Sequence, residues 1–266
     1  PNAIEDAIVA TRSLAFRYLW VGRYCIPRDG AERHAQISNM DVIHAHAQVT
    51  LVAAAGEDAD YGLPGVGSRF RFVQPHAEIM NEMVVSTLPH IKEALKDSRW
   101  MKRAWTYQEA LLSRRLLIFT DHQVFYECRG TNCCESVEKP LQSLHTKDGQ
   151  RLREFGEERL FPHNGLGKYP WDVATRIAEY SARTLSYDSD ALEAMLGIFS
   201  AFTQRQDPGV PIVTTAKSLA YRSDSWRRWS TKSRGAQFAT GLCWSHAAPA
   251  RRRQGFPSWS WTGWVG

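Results

Sequence analysis

The sequence contains no run of apolar residues approaching the ~18 that a membrane-spanning helix requires, and no signal-peptide pattern opens it. We therefore expect a cytoplasmic protein without a membrane partner. With 266 residues, 43% of them hydrophobic, the chain can form one large domain or two small ones around a core. It begins with Pro1 rather than methionine, and we expect a further segment upstream.

Cysteine is scarce and unevenly placed. The odd number of five, in a chain without secretory features, predicts a reducing compartment. Cys128, Cys133 and Cys134 are clustered, but no second ligand pair follows at the spacing typical of zinc sites. We predict ordinary thiols and no metal site.

Charge of one sign is not concentrated either. Lys and Arg total 33 against 28 for Asp and Glu, a net charge of +5. Apart from Arg227–Arg228 and Arg251–Arg253, the basic residues are dispersed. This pattern predicts a solvated basic surface and argues against a nucleic-acid partner.

The N-terminal half alternates between helical and extended patterns. Apolar spacing predicts a helix over 4–14 capped by Asn2 and a buried strand at 18–21. It then predicts a helix from about Ala31, with Ile37, Met40, Ile43 and Ala47 inward, and a buried strand at 49–54. Two further β-runs, 116–120 and 123–128, predict a hairpin. Strands alternating with helices favour an α/β fold with a parallel sheet and crossover helices.

The loop after Gly56 contains Gly62, Gly65 and Gly67. In an open α/β sheet, such a loop at the carboxyl end of a strand is where ligands bind. The glycines do not match a dinucleotide fingerprint, so a phosphate-binding role is disfavoured.

The C-terminal half begins with a polar stretch over 135–169, which predicts a boundary or a surface excursion. One helix follows with Val173, Ile177 and Tyr180 inward. Another is expected from Asp190, with Glu193 completing an acidic capping box. Near the end, period-two alternation predicts a strand that places Trp259 and Trp261 on one face.

Residues 103–115, RAWTYQEALLSRR, form the most informative stretch. Apolar spacing from Met101 predicts an amphipathic helix. Trp105 and Glu109 are four residues apart on it, so an aromatic ring and a carboxylate share one face. Three roles are open for Glu109. It is a structural residue at the edge of the apolar helix face, paired with Arg103 or Arg115, or a catalytic carboxylate, or a residue that contacts a partner protein. Trp105 fits a core residue or a ring-stacking one.

A thiol hydrolase built from Cys25 with His44 or His46 is a further alternative. The two histidines point to different faces of their helix and cannot both serve one site. Cys25 is better read as a small buried apolar residue.

Several motifs, in this order, resemble the fungal heterokaryon-incompatibility (HET) domain and the region that follows it. They are AIEDAIVATRSLAFRYLWVGRYCIPRDG, AQISNMDVIHAHAQVTLVAAAGED, RAWTYQEALLSRRLLIF, YSARTLSYDSDALEAMLGIF and GFPSWSWTGW. The resemblance places a HET domain over 1–135 and a HET-associated region, mixed helical and β, over 136–266.

The chain departs from the family pattern at two places. The usual opening ALSYxWG is absent, so the first sheet strand is expected to be missing and a sheet edge exposed. Gly22 stands where the family typically has aspartate after the Trp20 strand, and Arg28 replaces a usual glutamine. If that aspartate contributes to a site, the site is impaired here.

HET domains act in fungal non-self recognition and trigger programmed cell death. They have been likened to TIR domains, flavodoxin-like α/β proteins whose enzymatic members cleave NAD at the nicotinamide–ribose bond. This second resemblance is an analogy at the level of the fold only. The resemblance implies Glu109 as the catalytic carboxylate of a candidate NAD glycohydrolase, with Trp105, Gln108 and Trp20 as substrate-binding residues. NAD would be a substrate, and no cofactor is implied.

Two readings of a different class remain open. In the first, the chain is a non-catalytic signalling module that works by self-association or by binding an unknown recognition partner. In the second, it is an inactive, truncated HET paralogue. Gly22 and the missing strand favour them. Nucleic-acid binding through the Arg- and Trp-rich C-terminal part is the most distant alternative.

Overall fold

A computed structural model describes residues 1–129, 131–137, 159–160, 166–167, 170–202, 241–246 and 248–265. The Arg227–Arg228 pair and most of the polar stretch at 135–169 lie outside these ranges, and so do the predictions made for them.

Helices and short strands alternate along the described chain. The helices are α1 Asn2–Ser13, α2 Gly22–Cys25, α3 Gly30–Ser38, α4 Met40–His46, α5 Ile91–Leu95, α6 Arg99–Lys102, α7 Ala104–Leu112, α8 Pro170–Ser181 and α9 Glu193–Ala201. The strands are β1 Thr50–Ala53, β2 His76–Ile79, β3 Glu82–Val85, β4 Arg115–Phe119, β5 Val124–Cys128, β6 Asn132–Cys134, β7 Arg251–Arg252 and β8 Trp264–Val265. Short 3-10 helices cover Asp188–Ala191 and Trp261–Gly263.

The chain divides into two compact units whose segments are interleaved in sequence. The first unit comprises Pro1–Pro27, His46–Lys102 and Ser113–His163. The second comprises Arg28–Ala45, Arg103–Leu112 and Asn164–Gly266. The domain boundary between residues 135 and 136 stays a prediction.

The first unit contains a four-stranded sheet of order β1-β4-β5-β6. β1 and β4 are parallel, with Thr50 opposite Leu116. β4, β5 and β6 are antiparallel, and the predicted hairpin is confirmed by the pairing of Phe119 with Val124. The α/β class is therefore confirmed, with a mixed sheet in place of the parallel one expected.

α1 packs on this sheet through a small apolar cluster. Ala10 lies with Leu63 and Phe119, all of them buried. The predicted cap is wrong: Pro1 is the N-cap residue and makes no side-chain capping bond. Asn2 is the first helical residue, and its Nδ2 donates to the Asp60 carbonyl at 2.7 Å. The cap is lost because that amide holds the neighbouring loop instead.

The predicted strand at 18–21 is wrong as well. This segment is irregular, and Tyr18 and Trp20 are 82% and 37% exposed. The Val21 carbonyl accepts from the N–H groups of Tyr24 and Cys25 at 2.9 and 2.8 Å. Those bonds turn the chain into α2 immediately, so it does not extend along the sheet.

In the second unit, α7 and α3 both contact α9, and α7 also contacts α8. The predicted helix from Ala31 is present as α3 and α4, with Ile37 and Met40 buried. Ile43 is only partly buried, and Ala47, also partly buried, follows the end of α4. The predicted C-terminal helices are present, with Val173, Ile177 and Tyr180 buried in α8.

The predicted tryptophan strand is wrong over most of its length. Ser260 Oγ accepts from the Thr262 N–H at 3.3 Å and caps a 3-10 helix, which breaks the alternation. Trp261 is consequently 5% exposed and Trp259 51% exposed, so they do not share a buried face. Only Trp264–Val265 forms a strand there, pairing with β7.

The arginines at 251–253 are not a uniformly solvated surface, which corrects that prediction. Arg251 is exposed and bonds Asp188 at 2.8 Å. Arg253 is 2% exposed and donates to the carbonyls of Thr262 and Trp264. The Arg252 guanidinium likewise donates to the carbonyls of Gly263 and Phe256, so two of the three arginines are bonded to the backbone of their own region.

Within the described ranges, every helix is too short or too polar to span a membrane.

Asp6 supplies a direct test of this architecture. It is buried, and its Oδ2 accepts from the Leu63 N–H at 2.7 Å. We expect Asp6→Ala to lower the free energy of unfolding by about 1–3 kcal/mol, because the Leu63 N–H loses its acceptor. Urea unfolding should show a lower midpoint at unchanged slope.

Glu5→Ala, one residue away on the exposed face of α1, is the matched control and should change stability by less than about 0.5 kcal/mol. Equal effects of the two substitutions would contradict the role given to Asp6.

Candidate functional site

The candidate site is built on α7, which begins at Ala104 rather than at Met101 as predicted. The break falls at Arg103, which pairs with Thr184 in an isolated bridge. The Ala104 N–H donates to the Thr184 carbonyl at 2.8 Å. This bond starts α7 as a separate helix and places Met101 in α6.

Trp105 lies partly buried near the start of α7. Its indole Nε1–H donates to Asp190 Oδ2 at 3.1 Å, which fixes the plane of the ring. The capping box predicted at Asp190 is wrong, because Asp190 lies in a 3-10 helix and α9 begins only at Glu193 without a side-chain cap. The carboxylate is engaged with Trp105 instead.

Gln108 is completely buried, at 0% exposure. Its Oε1 accepts from the backbone N–H of Gly197 at 2.8 Å. Its Nε2 has no hydrogen-bond partner within the described part of the chain. A Cβ at position 197 would lie 2.6 Å from Gln108 Oε1 and 3.0 Å from the Asp41 backbone nitrogen. Only glycine therefore lets α7 and α9 approach this closely.

Glu109 is the partly buried carboxylate beside this contact. Burial raises its pKa above the ordinary glutamate value, and the positive charge of Arg103 acts in the opposite direction. Of the two arginines expected near it, Arg103 is the one whose charge acts on it. Arg115 donates instead to the Gln48 carbonyl at 3.2 Å.

A partly buried polar network is built around Tyr107 of α7. The Tyr107 hydroxyl donates to Glu179, whose carboxylate is 3.1 Å from Arg176 Nη1. The Arg183 guanidinium lies 4.6 Å from the centre of the Tyr107 ring. Burial and the bond to Glu179 raise the pKa of Tyr107. Nothing in the residue spacing identified this network beforehand, since its acceptor lies 72 residues away along the chain.

The structure thus brings Trp105, Gln108 and Glu109 together on one helix. Trp20 belongs to the first unit, where its ring lies against the backbone of Gly22. Its role in substrate binding stays a prediction, as do the roles assigned to the three residues of α7.

The first unit contains a groove of about 510 Å³, lined by Glu5, Asp6, Tyr61, Arg69 and Phe70 among others. It is formed partly by the glycine-containing loop that follows β1. The Tyr61 hydroxyl donates to Asp121, just after β4, at 2.5 Å, and this bond raises the pKa of Tyr61. Loops from the carboxyl ends of two parallel strands are therefore joined here, at the position where open α/β sheets bind ligands.

The residues of the thiol-hydrolase alternative have separate environments. Cys25 is exposed, and the prediction that it is buried is wrong, because α2 has no buried residue. His44 is buried and His46 exposed, which confirms that they lie on different faces. Burial lowers the pKa of His44 to about 4. Among the described residues, no group of three or more His, Cys, Asp or Glu side chains could hold a metal ion.

Comparison with known families identifies the N-terminal part. The model of the heterokaryon incompatibility protein (HET) family matches residues 1–109. These residues therefore form a HET domain, and the match includes Trp20, Trp105, Gln108 and Glu109. A HET domain implies a function related to heterokaryon incompatibility. No curated protein and no solved structure matches the chain significantly.

The close approach at Gly197 predicts that an alanine at this position changes stability in the direction opposite to the one expected from helix propensity. Replacing an interior helical glycine by alanine ordinarily stabilises a helix by about 1 kcal/mol. We expect Gly197→Ala to destabilise the protein by about 1–3 kcal/mol, because the new methyl group meets Gln108 Oε1 and the Asp41 backbone in a packed interior. Chemical denaturation measures the difference.

Ser200→Ala is the control on the exposed face of α9 and should be neutral or slightly stabilising. A Gly197→Ala protein at least as stable as the parent would show that the contact with Gln108 is not a constraint.

Proposed function

We propose that this protein is an effector of fungal non-self recognition that triggers programmed cell death by hydrolysing NAD at its nicotinamide–ribose bond. Glu109 is the proposed catalytic carboxylate. The observation that carries the proposal is the position of Glu109, partly buried on a helix whose neighbouring residues are fixed by directional polar bonds. The proposed place of action is the cytoplasm.

The chemistry requires little beyond such a carboxylate. The bond between ribose C1′ and the nicotinamide nitrogen breaks, and its electron pair leaves with nicotinamide, which departs as a neutral ring. A ribosyl cation with oxocarbenium character develops, as in glycoside cleavage. Water adds at C1′ and loses a proton, which gives ADP-ribose and nicotinamide. The reaction needs no redox partner.

Glu109 would stabilise the developing cation. A carboxylate held beside the ribose acts through a charge that is already oriented before the reaction. The proximity of Arg103 supports this role, because its charge opposes the rise in pKa caused by burial and keeps the carboxylate ionised over a wider pH range. A perturbed carboxyl group of this kind is characteristic of functional sites, though structural ion pairs also produce it.

Trp105 and Gln108 have complementary proposed roles. The bond to Asp190 holds the indole plane of Trp105, which suits stacking on a nicotinamide or adenine ring. Gln108 is fully buried, so its contribution to substrate binding would be to position α7. Trp20 is the third proposed substrate-binding residue.

A TIR-like, flavodoxin-like arrangement belongs to the same proposal. It is supported by the parallel pair β1–β4 and by the groove where loops from those two strands meet. The antiparallel strands β5 and β6 depart from a purely parallel core, so the fold-level analogy carries less weight than Glu109 itself.

Glu109→Gln tests the catalytic assignment. We expect purified protein, clustered through a tag, to release nicotinamide from NAD. The variant should do so at least about 100-fold more slowly, since the amide is isosteric but carries no negative charge. Nicotinamide is followed by liquid chromatography.

Glu93→Gln removes an exposed carboxylate in the first turn of α5 and should leave the rate unchanged. Absence of release from the clustered parent protein, or equal release from Glu109→Gln, would reject the role given to Glu109.

The pH dependence provides a second test. The ionised form of Glu109 is the active one, so the rate should fall as the pH drops through the pKa of this residue. Arg103→Gln removes the charge that lowers this pKa. The pKa then rises, and we expect the acid limb of the pH–rate profile to move to higher pH.

Arg103→Lys keeps the charge and should give a profile close to that of the parent protein. A shift of the same size in both variants would indicate that the helix has been displaced rather than that charge has been lost.

A non-catalytic signalling module is the second candidate function, with an unidentified recognition partner. The exposed apolar residues of strands β2 and β3 favour it. Expression in a fungal host separates the two candidates: cell death that persists in Glu109→Gln supports the signalling module, and its loss supports catalysis.

A further inference from the structure

The groove of the first unit is lined by three charged side chains, Glu5, Asp6 and Arg69. Glu5 lies exposed in the first turn of α1, and the next residue, Asp6, is only 9% exposed. Arg69 belongs to the loop that follows β1. Within the described residues none of the three forms an ion pair, so all three charges are available to a ligand in the groove.

The Asp6 carboxylate is held by one oxygen and leaves the other without a donor. Oδ2 accepts from the Leu63 N–H at 2.7 Å, whereas Oδ1 accepts no hydrogen bond within the described part of the chain. A Cβ at position 67 would overlap Oδ1, and a Cβ at position 62 would lie 2.6 Å from Oδ2. Glycine at both positions lets the loop close around this carboxylate. A ligand that donates to Oδ1 would offset the cost of burying that oxygen unpaired.

Arg69 is held in one orientation before any ligand binds. Its guanidinium carbon lies 3.8 Å from the centre of the Tyr61 ring, and its Nε donates to the Tyr61 carbonyl at 2.8 Å. A guanidinium can bind a carboxylate through two parallel N–H donors. Because stacking already fixes the Arg69 side chain, little rotamer entropy remains to be lost on binding.

The signs of the three charges indicate the class of ligand. Two carboxylates and one guanidinium line the groove, so its net charge is negative. The carboxylates repel a diphosphate, which makes NAD a poor ligand here. An ammonium group complements each carboxylate, and a carboxylate complements Arg69. The groove volume of about 510 Å³ lies within the range of about 300–1,000 Å³ typical of small-molecule sites.

We propose that this groove binds a free basic α-amino acid of the L-lysine type. Its α-carboxylate pairs with Arg69, its α-ammonium donates to Asp6 Oδ1, and its side-chain ammonium pairs with the exposed Glu5. The methylene chain lies against Phe70, which also lines the groove. This ligand site goes beyond the proposed NAD hydrolysis and does not depend on Glu109.

The primary test is isothermal titration calorimetry of the full chain with L-lysine and with three analogues that each lack one charge. Cadaverine lacks the carboxylate and Nα-acetyl-L-lysine lacks the α-ammonium. Both should bind at least about tenfold more weakly than L-lysine, because each loses a charge-assisted hydrogen bond. L-Norleucine lacks the side-chain ammonium and should bind about twofold to fivefold more weakly, since an exposed ion pair contributes little.

Protein variants assign each ligand group to its residue. Arg69→Gln should weaken L-lysine at least about tenfold but leave cadaverine unchanged, because cadaverine has no carboxylate to lose. Asp6→Asn keeps an oxygen that can accept from the Leu63 N–H. It should weaken L-lysine but not Nα-acetyl-L-lysine. Glu5→Gln should weaken L-lysine but not L-norleucine.

Arg12→Gln is the matched control, because it removes an exposed arginine from the last turn of α1. It should leave the affinity for L-lysine unchanged. Circular dichroism and the urea midpoint of Arg69→Gln should match those of the parent, so this variant decides the outcome even if Asp6→Asn does not fold.

Three results would overturn the proposal: no binding of L-lysine at millimolar concentration, cadaverine binding as tightly as L-lysine, or equal weakening by Arg12→Gln and Arg69→Gln. The titration measures binding only and contains no NAD. A protein that binds L-lysine and releases no nicotinamide would therefore support this site while rejecting the proposed hydrolysis.

Discussion

The hydrogen bond from the Gly197 backbone to the buried amide of Gln108 fixes the packing of α7 on α9. Apolar contacts alone would let two helices slide by fractions of a turn, whereas a buried amide loses a partner if the register changes. The absence of a side chain at position 197 is part of the same constraint. The bonds from Trp105 to Asp190 and from Tyr107 to Glu179 hold the helix from other directions.

This constraint gives Glu109 a defined position at some electrostatic cost. Burial disfavours its ionised form, and the exposed Arg103 offsets only part of that effect. A carboxylate kept in such surroundings is a poor choice for stability alone, because an uncharged residue would avoid the penalty. The catalytic role proposed for Glu109 would account for such a residue here, since functional residues commonly oppose stability. The environment of Glu109 is therefore more informative than its place in a motif.

Much of the local structure could be predicted because its causes are local. The helix at α1, the strand β1 and the β4–β5 hairpin follow from apolar spacing and a two-residue turn. The strand expected at Trp20 and the one expected at Trp259 failed for a common reason. Alternating side chains indicate a strand only where a neighbouring strand supplies hydrogen bonds, and here the chain turns into α2 or into a 3-10 helix.

The site was predictable only in outline. The spacing of Trp105 and Glu109 placed both on one helix, but the partners of that helix come from distant residues. Asp190 resembled a helix cap because its spacing to Glu193 is that of a capping box. The group that its carboxylate binds instead, the indole of Trp105, lies 85 residues away along the chain, so local spacing gave no indication of it. Gly197 carried a usable indication, since glycine inside a helix often reflects a close packing contact.

The interleaving of the two units has a consequence for how such a protein can change. The family match ends at Glu109. Two segments that it covers wholly or in part, Arg28–Ala45 and Arg103–Leu112, nevertheless belong to the same compact unit as Asn164–Gly266. An exchange of the matching segment alone, between related genes, would separate Gln108 from Gly197 and Trp105 from Asp190. These positions must vary together, so the unit that can be inherited or transplanted intact is longer than the segment by which the family is recognised.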